Sequence, residues 1–499
     1  MISSSSAKRL SNSTIEHLVE RVLRPTYDRT KLRPHTVHIG VGSFHRAHQA
    51  VYLDDLLQRR VLTDWGECGM GVLPKDIGIR NALRDQDFYY TVLERSAEDQ
   101  TARVVGSIID FSLAPEGIEA AINRLADQDT RLVSLTITEG GYFINEGSGN
   151  FSSENPSIQS DIRRPTTPTT SIGLLSAALK RRRDGGLPPF TVMSCDNLQG
   201  NGHVMRKVLL GLAELQDPAL ARWIDENVAF PNSMVDRITP ATTALDVEEL
   251  RGAFGIVDAW PVVTEPFRQW VIEDTFCNGR PPWEEVGAEV VSDVLPYELM
   301  KMRLLNASHM AMAYLGALAG HTFAHEVIRD SVFDRFIRAF MDEVTPIVPI
   351  IQNVSVELYK STLIERFANP TINDRVARLC SEGSAKMPKW VLPSAVELAE
   401  AKRSNRLLAL TIAGWIRYLQ AAKDDQGNAI EIVDAKATEL KRIAGELGDD
   451  PRPFLELNSL FGSAYFVESA FAGEVERALK LLRIFGARQT LRDYIEQAS

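Results

Sequence analysis

At 499 residues, 44% hydrophobic and 24% charged, the chain has ordinary globular composition and enough length to bury a large core without disulfide or metal staples. A net charge of -11 argues against nucleic-acid or membrane partners, because both usually need a basic face. The four cysteines (Cys68, Cys195, Cys277, Cys380) form no CxxC pair, which fits a reducing, cytoplasmic setting.

In chain order, the N-terminus MISSSSAKRLSNSTIEHL lacks an apolar run, so no secretory signal is expected. Thr36–Gly42 reads as a strand ending in glycines, followed by a helical pattern from His45 to Gln58. Strand-like runs recur at Cys68–Leu73, Ala102–Ile109, Leu132–Thr138 and Phe190–Ser194, with a helical stretch at Gly117–Leu125. Such alternation predicts an α/β fold with a parallel, doubly wound sheet. The Pro- and Thr-rich segment Arg163–Ser171 reads as a surface loop. Beyond about Val290, helical periodicity takes over at Tyr297–Leu318, Val391–Gln420, Ile430–Leu447 and Val475–Gln497. Two domains are therefore expected, a sheet domain over 1–290 and a mainly helical one over 291–499. Leu304–Ala324 is the most apolar long stretch. It carries Asn306, Ser308, His309 and His321, costly in lipid, so it reads as a core helix.

Gly40-Val41-Gly42-Ser43-Phe44-His45 lies between a strand and a helix, the context in which glycines let the backbone approach a pyrophosphate. His45 stands where a third glycine is usual, and a plain strand-turn-helix would read the same way. After the second strand, Asp76 is placed to accept ribose hydroxyls, which favours NAD; the adjacent Lys75 would instead serve the phosphate of NADP.

In Lys301-Met302-Arg303-Leu304-Leu305-Asn306-Ala307-Ser308-His309, an α-helical advance puts Lys301, Asn306 and His309 at roughly 0°, 140° and 80°. A polar stripe in an apolar helix needs partners, which a polyhydroxylated substrate would supply. A lysine whose pKa burial lowers can take a hydroxyl proton, and asparagine amides can hold the developing alkoxide. An amphipathic helix with a satisfied core histidine is the structural alternative. Asn197 follows the strand ending at Ser194, and Asp236 lies in the turn-like segment Pro231–Arg237. The pairs His45/His48 and His321/His325 have metal-compatible spacing but no third ligand nearby, so no metal is expected. There is no GxSxG elbow and no P-loop.

HIGVGSFHRAHQAVYLDDLL (38–57), TITEGGYF (136–143), SCDNLQGNG (194–202), FPNSMVDRITP (230–240), WPVVTEPFRQWVIED (260–274) and KMRLLNASH (301–309) together resemble the polyol-specific long-chain dehydrogenases over essentially the whole chain. The resemblance implies an N-terminal Rossmann-type domain, a largely helical C-terminal domain, and zinc-independent, NAD-dependent oxidation of D-mannitol to D-fructose. By motif position it implies Lys301 as general acid/base, Asn197 and Asn306 as oxyanion-holding amides, and His309 and Asp236 as substrate-orienting residues. Arg378 and Lys386 match as contacts to substrate hydroxyls. The family's altered glycine motif itself carries the histidine, which makes Gly40, Gly42, Phe44 and His45 the cofactor turn. Glu298, one turn before Lys301, is a candidate proton relay. One departure is Pro74, where the family often has an acidic residue. A small polyol or ketose is the expected partner, with a monomer allowed. Other expected substrates of the same site are D-arabinitol, D-sorbitol or a uronate; a non-catalytic nicotinamide sensor would have no need of the lysine.

Overall fold

The computed structural model describes residues 7–145, 149–448, 450–462 and 465–496. By its internal contacts the chain divides into two units, Met1–Leu295 and Pro296–Ser499. The N-terminal residues 1–6 and Gln497, included in the segments read above, lie outside the described residues.

The first unit is built on five parallel strands: β1 (Arg33–Ile39), β2 (Trp65–Gly71), β3 (Ile108–Leu113), β4 (Leu132–Leu135) and β5 (Thr191–Ser194), in the spatial order β3-β2-β1-β4-β5. This is the expected doubly wound arrangement. Its strand order reverses between β1 and β4, and ligands of open α/β sheets bind in the crevice at such a point. The strands are covered on both faces, so Val37, Ile39, Cys68, Met70, Val133 and Leu135 are fully buried. A smaller sheet joins β6 (Ser233–Asp236) antiparallel to β7 (Gln269–Glu273), which pairs in parallel with Glu289–Val291.

Three local expectations are corrected here. The run Ala102–Ile109 is two strands, because the chain leaves an antiparallel pairing of Gln100–Val105 with Tyr90–Arg95 at Gly106 and enters the parallel sheet at Ile108. The helix expected over His45–Gln58 is two, α1 (Ser43–Ala47) and α2 (Gln49–Gln58). They are broken at His48 (φ -123°, ψ -89°), whose ring bonds the Gln269 carbonyl at 2.9 Å. Of Ile430–Leu447 only Ala437–Glu446 is helical, since Asp434 turns the preceding chain by accepting from the Ser384 amide and hydroxyl and the Lys436 amide.

In the second unit, α3 (Ala307–Leu318) is buried almost all round and packs against α4 (Ser331–Val344), α5 (Arg406–Gln420) and α6 (Ala470–Glu496). A central position explains why this segment is apolar on every side. The helix α6 is interrupted at Gly486 (φ +73°), where a Cβ would stand 2.7 Å from the Asp425 carboxylate. The stretch Val391–Gln420 likewise splits, into Leu392–Glu400 and α5. No helix among the described residues is long and apolar enough to cross a membrane.

Candidate functional site

The glycine turn follows β1 at the point where the strand order reverses. Gly40 has φ +93°, and a Cβ there would lie 2.1 Å from the Thr136 carbonyl oxygen, so both backbone conformation and space require glycine. Thr136, just beyond β4, clamps the turn by donating its hydroxyl to the Gly40 carbonyl at 2.7 Å. Gly42 is exposed and has only the Gly40 oxygen within 4 Å of a would-be Cβ, which leaves open the close backbone approach a diphosphate needs. Phe44 is half-buried and stacks on the His48 ring at 4.9 Å. Among the residues present, this turn fits a dinucleotide.

The His45 side chain does not face that crevice. It is fully buried, stacked on His38 with ring centroids 3.4 Å apart, and its Nε2 is 2.9 Å from a carboxylate oxygen of Glu67. Of the cofactor-turn residues read from the sequence, His45 thus has only its backbone at the turn, because the inward face of α1 is occupied by β1 and β2. His38 bonds Ser134 at 2.7 Å through Nδ1 and Thr136 at 2.8 Å through Nε2. The Thr136 hydrogen is spent on Gly40, so His38 Nε2 is the donor and Nδ1 the acceptor. Burial holds both histidines well below their usual pKa, and it pushes the Glu67 carboxyl up to about 7.

Asp76 is half-buried and accepts from the Val72 and Leu73 amides, both 2.9 Å from one carboxylate oxygen; it thus shapes the loop after β2, while Lys75 is exposed. At the ends of β4 and β5, Asp196 accepts from the amides of Ile137 and Thr138 and from the Tyr142 hydroxyl. Burial raises the Asp196 pKa against those hydrogen bonds. The same contacts hold Thr138 at φ +62°, ψ 164°, a region rarely used by a β-branched residue. Asn197 follows on this scaffold with its side chain exposed, and Asp236 ends β6, buried.

In the second unit, Glu298 belongs to the helical segment Leu295–Met300, and Lys301–Asn306 forms a π-helical turn leading into α3. The Ala307 amide bonds the Met302 carbonyl five residues back. This alters the angles expected of an α-helix: in a turn with i→i+5 bonding, Lys301 and Asn306 approach the same face instead of lying roughly 140° apart. Glu298, Lys301, Asn306 and His309 are each less than a tenth exposed, and the His309 ring packs against Phe367 at 4.7 Å. Arg378 is exposed and held by both oxygens of Asp374 at 2.6 Å, and that carboxylate raises its pKa. Lys386 lies 3.3 Å from the Leu379 carbonyl, and burial followed by the neighbouring Arg378 charge lowers its pKa.

Two family models match in tandem. The Mannitol dehydrogenase Rossmann domain covers residues 34–285, and the Mannitol dehydrogenase C-terminal domain covers 293–483. The chain belongs to the mannitol dehydrogenase family. Within that family, it is 46% identical over 479 residues to mannitol 2-dehydrogenase of Neosartorya fischeri, which covers 95% of each chain. The Aspergillus oryzae mannitol 2-dehydrogenase gives the same identity and coverage. Among solved structures, the Pseudomonas fluorescens mannitol 2-dehydrogenase ternary complex with NAD and D-mannitol matches with TM-score 0.90 at 42% identity, over 98% of this chain and 100% of that one. A D-sorbitol dehydrogenase in substrate-free form matches with TM-score 0.89 at 36% identity, over 97% and 100%.

For this member of the mannitol dehydrogenase family, sequence reasoning missed Glu67, the His38–Thr136 link, the Asp196–Tyr142 pair and the π turn. The signal for the first two was visible: a histidine and a glutamate in strands that are otherwise buried demand polar partners. Nothing local identified those partners.

Proposed function

We propose that this chain is an NAD-dependent, metal-independent polyol dehydrogenase that interconverts D-mannitol and D-fructose, in the cytoplasm and as a monomer. The observation that carries this reading is the likeness, across both units, to an enzyme captured with NAD and D-mannitol, joined to an intact KMRLLNASH segment. Gly40, Gly42 and the backbone of Phe44 and His45 would hold the diphosphate of NAD and Asp76 its ribose hydroxyls, and the bound cofactor would supply the hydride acceptor for the carbinol carbon. Lys301, entering as the neutral amine, takes the hydroxyl proton, and Glu298 passes it toward solvent. Asn306 and Asn197 carry the amide hydrogens that the family motif assigns to the alkoxide. His309 and Asp236 orient the polyol, with Arg378 and Lys386 binding its distal hydroxyls.

The test is NADH formation from NAD with D-mannitol, D-sorbitol and D-arabinitol in turn, and NADH loss with D-fructose. Turnover of mannitol well above the other two is expected. The similarity to a D-sorbitol dehydrogenase makes preferential oxidation of sorbitol the second reading. Oxidation of none of the three, with reduction of fructuronate instead, would overturn both.

A further inference from the structure

Glu67 is 2% exposed, sits in the middle of the parallel sheet, and has no role in the chemistry above. Among the described residues, no lysine or arginine forms an ion pair with it. The groups facing it are His45 from α1, His38 from β1, Tyr90 from the strand Tyr90–Arg95, Cys68 on its own strand and Cys195 beyond β5. Arg46 is itself engaged with the Trp260 carbonyl and lies over the Tyr90 ring. On its other side Glu67 lines a cavity with room for about one water, shared with Gln49, Ser134 and Trp270. Among the described residues the Gln49 amide and the Trp270 indole nitrogen have no partner within ordinary nitrogen–oxygen hydrogen-bond geometry, so the cavity has polar groups a water can use.

From Glu67 a continuous path runs to the cofactor turn. Its carboxylate touches His45, His45 stacks on His38, His38 bonds Thr136, and Thr136 bonds the Gly40 carbonyl. We propose that Glu67 is a positioning residue for the dinucleotide: through this path it fixes the glycine turn, and its charge state sets how tightly the turn takes an anionic cofactor. The electrostatic reason is that an unpaired carboxylate in a low-dielectric interior disfavours a nearby diphosphate, whereas the protonated acid does not. The contact with His45 survives both states. At 2.9 Å an ionised carboxylate can accept from an Nε2–H, and a protonated acid can donate to Nε2 when the imidazole hydrogen sits on Nδ1. This inference rests on the NAD-dependent reading.

The experiment is fluorescence titration of the full-length protein with NADH from pH 6 to 9, with kcat and KM for NAD measured alongside. In the wild type, NADH Kd should rise as pH climbs through about 7, where Glu67 loses its proton. Glu67→Gln, neutral throughout and still able to bond His45, should keep at pH 9 the affinity that the wild type shows at pH 6. Glu67→Ala should bind NADH about fivefold more weakly than the wild type does at pH 6, the loss of one positioning contact, and should lose the pH dependence, with kcat at saturating NAD within about twofold of wild type. Thr136→Val, which cuts the path at its last link and leaves Glu67 in place, should weaken NADH about as much while keeping the wild-type pH dependence. A Glu67→Gln protein whose affinity still falls with pH as in the wild type would overturn the proposal. So would a Thr136→Val protein that binds NADH normally. Failure of the wild type to bind NADH at all would instead sink the NAD-dependent reading.

Discussion

Lys301, Asn306 and His309 are polar side chains buried where the surrounding helix is apolar, and burying such groups is costly unless they are hydrogen-bonded. If Lys301 is the general base, Lys301→Ala should lower kcat for mannitol oxidation by about 10²- to 10⁴-fold, the usual span for a positioned proton-transfer group. NADH affinity by fluorescence titration should remain near wild type, because the cofactor turn lies in the other unit. A variant with more than a tenth of wild-type kcat would remove Lys301 from that role. Lys301, Asn306 and His309 were visible in the sequence as residue types in a motif. What the motif did not show was environment: His45, read as part of the cofactor turn, has its side chain buried beside Glu67.

At the scale of the element, the π turn decides how the lysine helix presents its polar groups. A π turn is an α-helix carrying one extra residue, which breaks the i→i+4 ladder locally without disturbing the packing on either side. Deleting Met302 should let that ladder close and rotate Lys301 away from the face it shares with Asn306. The expectation is unchanged far-UV circular dichroism and a Tm within a few degrees of wild type, with kcat/KM for mannitol down about 100-fold. Retained activity would show that the π turn is incidental. Helical periodicity located this element correctly, yet it could not reveal the wide turn, because a 100° advance is assumed in reading it. The split of Ala102–Ile109 between two sheets was hidden for a related reason: both halves satisfy the same apolar pattern.

Across the molecule, the buried histidines link stability to pH. Burial holds His38 and His45 well below their usual pKa and brings His48 down to about 3. Unfolded, each titrates near 6.5, at about the ordinary histidine value. Below that pH the unfolded chain binds more protons than the folded one, so these three residues make stability fall as pH falls. Glu67 acts oppositely: folded, it keeps its proton to about 7, whereas unfolded it would release it near about 4.3. Its contribution is therefore present at low pH and declines as pH rises through that window. His321 and His325, also lowered by burial, join the three histidines, while burial raises Asp196, Asp258 and Glu343 as it does Glu67; five groups oppose four, so Tm should drop on acidification from pH 6.5 to 4.5 in a thermal scan. A Tm that held constant or rose over that range would mean that the buried carboxyls dominate or that the histidines titrate in place.

The α/β class, the glycine turn and the Lys-Asn-His segment were all legible because each is local along the chain. Hydrophobic period, glycine spacing and a nine-residue motif need no knowledge of what lies opposite. Strand order and register decided the rest. Set side by side, β1 and β4 bring His38 against Ser134, and β2 beside β1 brings Glu67 under α1. Asp196 meets Tyr142 only once two strand ends have converged. Such pairings join residues tens of positions apart, and a pattern that repeats every two or four residues carries no information about which strand will be the neighbour.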